Sequence, residues 1–214
     1  MNNAIIDDAI RFVENIFKDD RSGHDFFHTM RVYNTATEIA KSEGADIGIV
    51  QLSALLHDAD DIKLSPETHE NKDRAVGFLK AHGVPQDRID RICTIIGEIS
   101  FKGSDSAVPA TIEGKCVQDA DRLDAIGAVG IARAFAYGGN HNRVIHDPEI
   151  EPKLNMNEEE YRNHVATTVN HFYEKLFLLK DLMNTDTAKK IADKRHEYMK
   201  TYISEFNDEW NGKL

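Results

Sequence analysis

The sequence predicts an all-α fold, and three observations predict it. Nearly every segment places apolar residues at helical spacing. No stretch alternates apolar and polar residues for long, and no Asn-Gly or Asp-Gly pair joins two such stretches into a hairpin. The 214 residues are 41% hydrophobic, enough for a sizeable core, and no repeat or Pro/Ser-rich linker divides them. The expectation is a single helical bundle spanning residues 1–214.

The elements follow in order. Ile5, Ile6, Ala9, Ile10, Val13 and Phe17 form a first apolar stripe. Arg31 to Glu43 repeats the pattern with Val32, Ala36, Ile39 and Ala40, and Gly44 is its expected C-cap. Asp46 to Asp58 is apolar almost all round, which marks a central, buried helix. Asn71 to His82, stopped by Gly83, and Gln86 to Glu98 come next. Thr111 to Ala136 reads as one run. Two long helices close the chain, from about Glu158 to Leu182 and from Thr185, an N-cap, to about Trp210. Irregular stretches are expected around Phe101 to Pro109 and at about residues 137–154. The second is long for a compact domain, as functional lids and disordered segments are. Gly138-Gly139 reads as a helix stop, since no strand precedes it and no GK[ST] follows.

Charge and cysteine usage limit the function classes. Lys+Arg number 26 against 37 Asp+Glu, a net charge of −11. Non-specific binding to duplex nucleic acid is excluded, because it runs on clustered cations. A phosphorylated small molecule remains a possible substrate where a metal or local cations offset the field. Cys93 and Cys116 lie in apolar stretches and read as buried free thiols of a reducing compartment. The N-terminal stretch mixes acids with apolar residues, unlike a signal peptide, and no apolar run is long enough to span a bilayer. A soluble cytoplasmic protein, monomer or homodimer, is expected.

The sharpest chemical feature is His57-Asp58 at the end of the most apolar helix. Burying such a doublet is costly without partners, and a divalent cation would serve both residues. A satisfied polar pair at a helix end is the bland alternative. His28 in HDFFHTMRV, Asp121 in VQDADRLDAIG, and Asp61 favour the cation. Asp61 lies four residues after His57 and three after Asp58, one shared face if the helix continues. Asp60 then points elsewhere, so Asp61 is the candidate for proton transfer.

His28, the adjacent His57-Asp58 and Asp121 together resemble the H…HD…D signature of the HD-domain metal-dependent phosphohydrolases. HDFFHTMRV, LLHDADDIK, ISFKG, VQDADRLDAIGAVGIARAF and HFYEKL resemble a small bacterial branch associated with nucleoside triphosphate pyrophosphohydrolase activity. The resemblance implies an all-α HD domain with His28, His57, Asp58 and Asp121 as metal ligands. His24-Asp25 is a rival doublet: His24 could line the same pocket as a substrate contact, or the pair could cap the helix. Asp119 and Asp124 compete with Asp121, and the Ala-Asp-Arg-Leu setting of Asp121 matches the family position. Two His and two carboxylates suit one six-coordinate divalent ion, Mn²⁺ first, with Mg²⁺, Fe²⁺ and Ni²⁺ as alternatives. A second metal would need a further ligand in the segment Arg88 to Ile99, which has no His; His69 and His82 precede it.

The implied chemistry is attack of a metal-activated water on phosphorus, with Asp61 accepting or orienting its proton. Phosphate charge would be met by Lys63, Lys102, Arg122 and Lys175, with Arg143 closing from the long loop. The branch resemblance implies a (deoxy)nucleoside triphosphate as substrate, cleaved to monophosphate and pyrophosphate. A nucleotide monophosphatase or phosphodiesterase on the same site is the runner-up. A metal-binding regulatory module without turnover is the third reading. Phe172, Tyr173 and Phe177 recur at core spacing, His164, His171 and His196 read as surface or satisfied core residues, and Trp210 as a packing anchor.

Overall fold

The computed structural model describes residues 3–18, 25–62, 65–101 and 105–213. It is all-α, with no strand among the described residues. The chain forms two compact units: Met1–Ser100 with Ala107–Asp121, and Phe101–Ser106 with Arg122–Leu214.

The first unit contains α1 (Asn3–Ile16), α2 (Phe26–Glu43), α3 (Ile47–Leu56), α4 (Asp73–Ala81) and α5 (Gln86–Ile99). Most of α6 (Ile112–Asp124) belongs to it as well. Helix α3 is central, packed by α1, α2 and α5, and Ile49, Val50, Leu52, Ala54, Leu55 and Leu56 are wholly buried. Its all-round apolar sequence leaves no face that water could take. Gly44, at φ 71°, and Gly83, at φ 67°, end α2 and the turn after α4 in the left-handed conformation that glycine adopts freely. The Asp60 carboxylate accepts the backbone N–H groups of Arg74 at 3.1 Å and Ala75 at 3.0 Å. It thereby closes the N-terminus of α4, as a cap residue would. Glu113 of α6 accepts the Asp46 N–H at 3.1 Å and pairs with Arg91 of α5.

The second unit contains α7 (Gly127–Asn140), α8 (Glu158–Asn163), α9 (Thr168–His171), a π turn (Phe172–Leu176), a 3₁₀ turn (Leu178–Leu182) and α10 (Asp186–Trp210). Phe135, Phe172, Tyr202 and Phe206 pack ring on ring where α7, the π turn and α10 meet. Trp210 stacks on Phe206. Thr185 caps α10 by accepting the Ala188 N–H.

Four expectations are corrected. The run from Thr111 to Ala136 is two helices, broken at Ala125-Ile126, with Gly127 at φ 79° starting α7. The Arg195 side chain packs where a Gly127 Cβ would sit, 2.9 Å from its Cγ. Gly138 and Gly139 do not stop the helix, which continues to Asn140; Gly138 is small because Thr168 Oγ1 lies 2.3 Å from where its Cβ would be. The segment 158–182 is not one long helix but α8, α9 and two non-α turns. Finally, Tyr173 is exposed rather than core, because the turn buries Phe172, Glu174 and Leu176 and leaves the position between them outside. The irregular stretch lies between α7 and α8, residues 141–157, and is hydrogen-bonded along its length. Its Val144 and Ile145 carbonyls accept the Thr168 and Val169 N–H groups at 3.0 Å, and Ile150 accepts from the Asn170 side chain.

Candidate metal centre

His28 enters through the start of α2. Asp25 is the N-cap and accepts the His28 N–H at 2.7 Å. Of the rival doublet, Asp25 is thus a cap, worth about 1 kcal/mol to such a helix. His24 lies outside the described residues. The cap fixes the backbone from which the His28 ring descends into the protein, where it is 1% exposed.

His57 and Asp58 sit just beyond α3, which ends at Leu56. The chain turns there, with Ala59 N–H on the Leu56 carbonyl and Asp61 N–H on the Asp58 carbonyl. The shared helical face expected for His57, Asp58 and Asp61 therefore does not exist. Asp61 is instead half-buried in the turn following Asp58. His57 Nδ1 lies 2.8 Å from the Ala54 carbonyl oxygen. A carbonyl only accepts, so Nδ1 carries the hydrogen and Nε2 is left facing the site.

Both imidazoles converge on one carboxylate. Asp58 Oδ2 is 3.2 Å from His57 Nε2 and 3.5 Å from His28 Nε2. The rings stand edge to face with centroids 5.3 Å apart. Asp121 Oδ1 approaches His28 Nε2 from α6 at 3.6 Å. Ligand atoms of His28, His57 and Asp58 all lie within 4.8 Å of one another, close enough to surround one ion. His57 Nε2 is buried and, apart from the Asp58 carboxylate beside it, has no polar group in hydrogen-bond geometry among the described residues. Burial disfavours a charged His57, but Asp58 and Asp121 outweigh it and push its pKa up to about 9. The site thus calls for positive charge at Nε2, which a divalent cation would provide.

The rivals of Asp121 differ in setting. Asp124 is held by Arg133 Nη1 at 2.7 Å inside the second unit, and Asp119 is fully buried. Of the extra histidines, His69 bonds the Asp60 carbonyl, and His82 bonds the Phe78 carbonyl and faces Asp8. Both thiols are free: Cys116 is buried and pushed up to about 12 by burial and by Asp119, whereas Cys93 is only half-buried.

The expected phosphate contacts are placed unevenly. Lys63 and Lys102 lie outside the described residues. Arg122 is buried, and its guanidinium donates to the Leu182 carbonyl. Lys175 Nζ stands 4.8 Å from the centre of the Phe101 ring and 5.5 Å from that of Tyr161. Arg143 lies over the Tyr137 ring at 5.1 Å. Sequence reasoning read His164 as a surface or satisfied core histidine but missed its partner Glu174, 2.9 Å away, because nothing in a spacing of ten residues marks a pair.

A family model for the HD domain matches residues 25–126, the span that contains His28, His57, Asp58 and Asp121. Bacillus subtilis YpgQ is 38% identical over 94% of this chain and 91% of its own length. The chain belongs to the HD-domain family. A crystal structure from Lactobacillus plantarum covers 100% of both chains at TM-score 0.88 and 39% identity. An HD-superfamily hydrolase from Bacillus thuringiensis matches at TM-score 0.77 and 41% identity over 97% of each chain. The structure of YpgQ in complex with ADP matches at TM-score 0.77, over 95% of this chain and 97% of that one. Membership makes the protein an HD-superfamily hydrolase, and HD domains bind divalent metals.

Proposed function

We propose that this HD-domain protein is a metal-dependent phosphohydrolase that converts (deoxy)nucleoside triphosphates to monophosphate and pyrophosphate. One observation carries the reading: ligand atoms of two buried imidazoles and Asp58 lie within 4.8 Å of one another, and His57 Nε2 has no other hydrogen-bond partner among the described residues. Nucleotide chemistry draws support from the relative whose structure contains ADP. The choice of the bond between α and β phosphates follows the family branch.

His28, His57, Asp58 and Asp121 are the proposed ligands, and Mn²⁺ the proposed ion. The ion supplies Lewis acidity and lowers the pKa of a coordinated water. The protein's own groups do the rest. The Ala54 carbonyl locks the His57 tautomer, and Asp58 keeps both rings in register. Asp61, beside Asp58 in the turn, accepts or orients the proton of the attacking water. Lys175 and Arg143 offset phosphate charge, which an acidic chain would otherwise repel. Arg122, buried against Leu182, is the weaker candidate for that task.

The test is hydrolysis by metal-stripped protein reloaded with Mn²⁺, Mg²⁺, Ni²⁺ or Zn²⁺. Nucleoside tri-, di- and monophosphates serve as substrates, and orthophosphate and pyrophosphate are measured separately. Pyrophosphate from triphosphates is expected. Asp58→Ala should abolish both turnover and metal retention, whereas Asp61→Ala should lower kcat about 10²–10⁴-fold and leave metal bound. Orthophosphate from monophosphates would move the substrate to the runner-up. No product with any metal would leave a binding module.

A further inference from the structure

The π turn Phe172–Leu176 closes with the Phe177 N–H on the Phe172 carbonyl at 2.8 Å, one residue wider than an α turn. Phe172, Glu174 and Leu176 are all buried. A carboxylate two positions from either apolar neighbour would face away from their core in an α-helix. Here that side is covered. Glu174 Oε1 accepts the Lys153 backbone N–H at 3.0 Å and meets His164 Nε2 at 2.9 Å. A buried carboxylate is costly without such donors, so this arrangement is strongly specified.

These contacts form a closed circuit. His164 is the C-cap residue of α8, and α8 carries Tyr161. Tyr161 meets Phe101 edge to face at 5.3 Å, and the Lys175 ammonium stands over both rings. Lys175 follows Glu174 in the same turn. Glu174 thus holds the turn from one side and, through His164 and α8, holds a ring on which Lys175 rests. A cation–π contact would not by itself fix a long lysine chain.

We infer that Glu174 is a positioning residue whose buried carboxylate holds the Lys175 ammonium in place for a phosphate group. This rests on the reading of Lys175 as a phosphate contact. A lysine already ordered loses less entropy when it binds, so Glu174 acts on phosphate affinity and not on the chemical step. Both donors meet the same oxygen, Oε1, so the amide oxygen of a glutamine could accept them equally.

The test compares Glu174→Ala, Glu174→Gln, Lys175→Ala and the double variant Glu174→Ala/Lys175→Ala, all Mn²⁺-loaded. ADP is titrated by calorimetry, and KM and kcat are measured with ATP. Glu174→Ala is expected to weaken ADP about tenfold and raise KM similarly, with kcat and Mn²⁺ affinity within about twofold. Glu174→Gln should stay within about twofold of wild type on every reading. The double variant should bind ADP no more weakly than Lys175→Ala alone. Should Glu174→Ala fail to fold, His164→Ala removes one donor and is expected to weaken ADP about threefold. Unchanged ADP affinity in the foldable variant, equal losses in Glu174→Ala and Glu174→Gln, or additive losses in the double variant would overturn the inference. Unchanged affinity in Lys175→Ala would overturn it too. Wild type that binds ADP but hydrolyses nothing would sink the functional reading alone, and the ADP series would still decide the role of Glu174.

Discussion

His171 shows how far a single side chain can depart from its free behaviour. Burial, with Lys175 and Arg143 adding positive charge, pushes its pKa down to about 3. The folded protein therefore keeps it neutral at pH values where an unfolded chain, with its pKa near 6.5, takes up a proton. The stability its neutral form allows is fully present above about pH 6.5 and falls as pH drops toward 3, by about 1.4 kcal/mol per unit. Urea unfolding at pH 7 and pH 5 should show this loss in wild type and a shallower one in His171→Asn. Equal pH dependence in the two proteins would refute the assignment. His57 is the opposite case: its carboxylate neighbours raise it, so a cation at Nε2 is favoured where His171 would refuse one.

At the scale of elements, the junctions are more constrained than the helices. Gly130 stands in the first turns of α7, and a Cβ there would lie 2.3 Å from the Ala125 carbonyl oxygen. Backbone cannot move aside as a side chain can, so Gly130→Ala should lower stability by about 1–3 kcal/mol, measured by denaturant unfolding. An unchanged midpoint would show that the α6–α7 turn yields easily. Asp60 makes a similar demand on α4. Removing its carboxylate in Asp60→Ala frees the N–H groups of Arg74 and Ala75 and should cost about 0.5–2 kcal/mol, with His57 and Asp58 untouched. Retention of Mn²⁺ by this variant would separate the acid that builds the turn from the acids proposed to bind metal.

For the molecule as a whole, metal and stability are linked. A cation that binds the folded state and not the unfolded one stabilises by about 2.7 kcal/mol at a hundred times its Kd. For a chain of this size that corresponds to about 5–11 °C in Tm. Saturating Mn²⁺ should raise the melting temperature by such an amount, chelation should reverse it, and Asp58→Ala should show neither effect. A melting curve indifferent to Mn²⁺ in wild type would count against the proposed ligand set. No helix among the described residues is long and apolar enough to cross a membrane.

Some of this was readable in one dimension. Helical period, the central place of α3, and the caps at Gly44, Gly83 and Thr185 depend on residue type and spacing within a few positions, and those survive folding unchanged. Motif resemblance pointed to the HD-domain family through His28, His57, Asp58 and Asp121, before any distance was known. Other features needed the folded chain. Apolar spacing is the same in one long helix and in two that meet at a turn, so the break before Gly127, where Arg195 packs against the bare Cα, shows only in the folded chain. A buried carboxylate looks in sequence like a solvated one, so Glu174 was invisible until Lys153 and His164 stood beside it. The same holds for Asp124, whose partner Arg133 lies nine residues on, and for Asp60, whose partners lie 14 and 15 residues on. Local pattern reports what each residue prefers, whereas partners far along the chain decide which acid builds structure and which is left for chemistry.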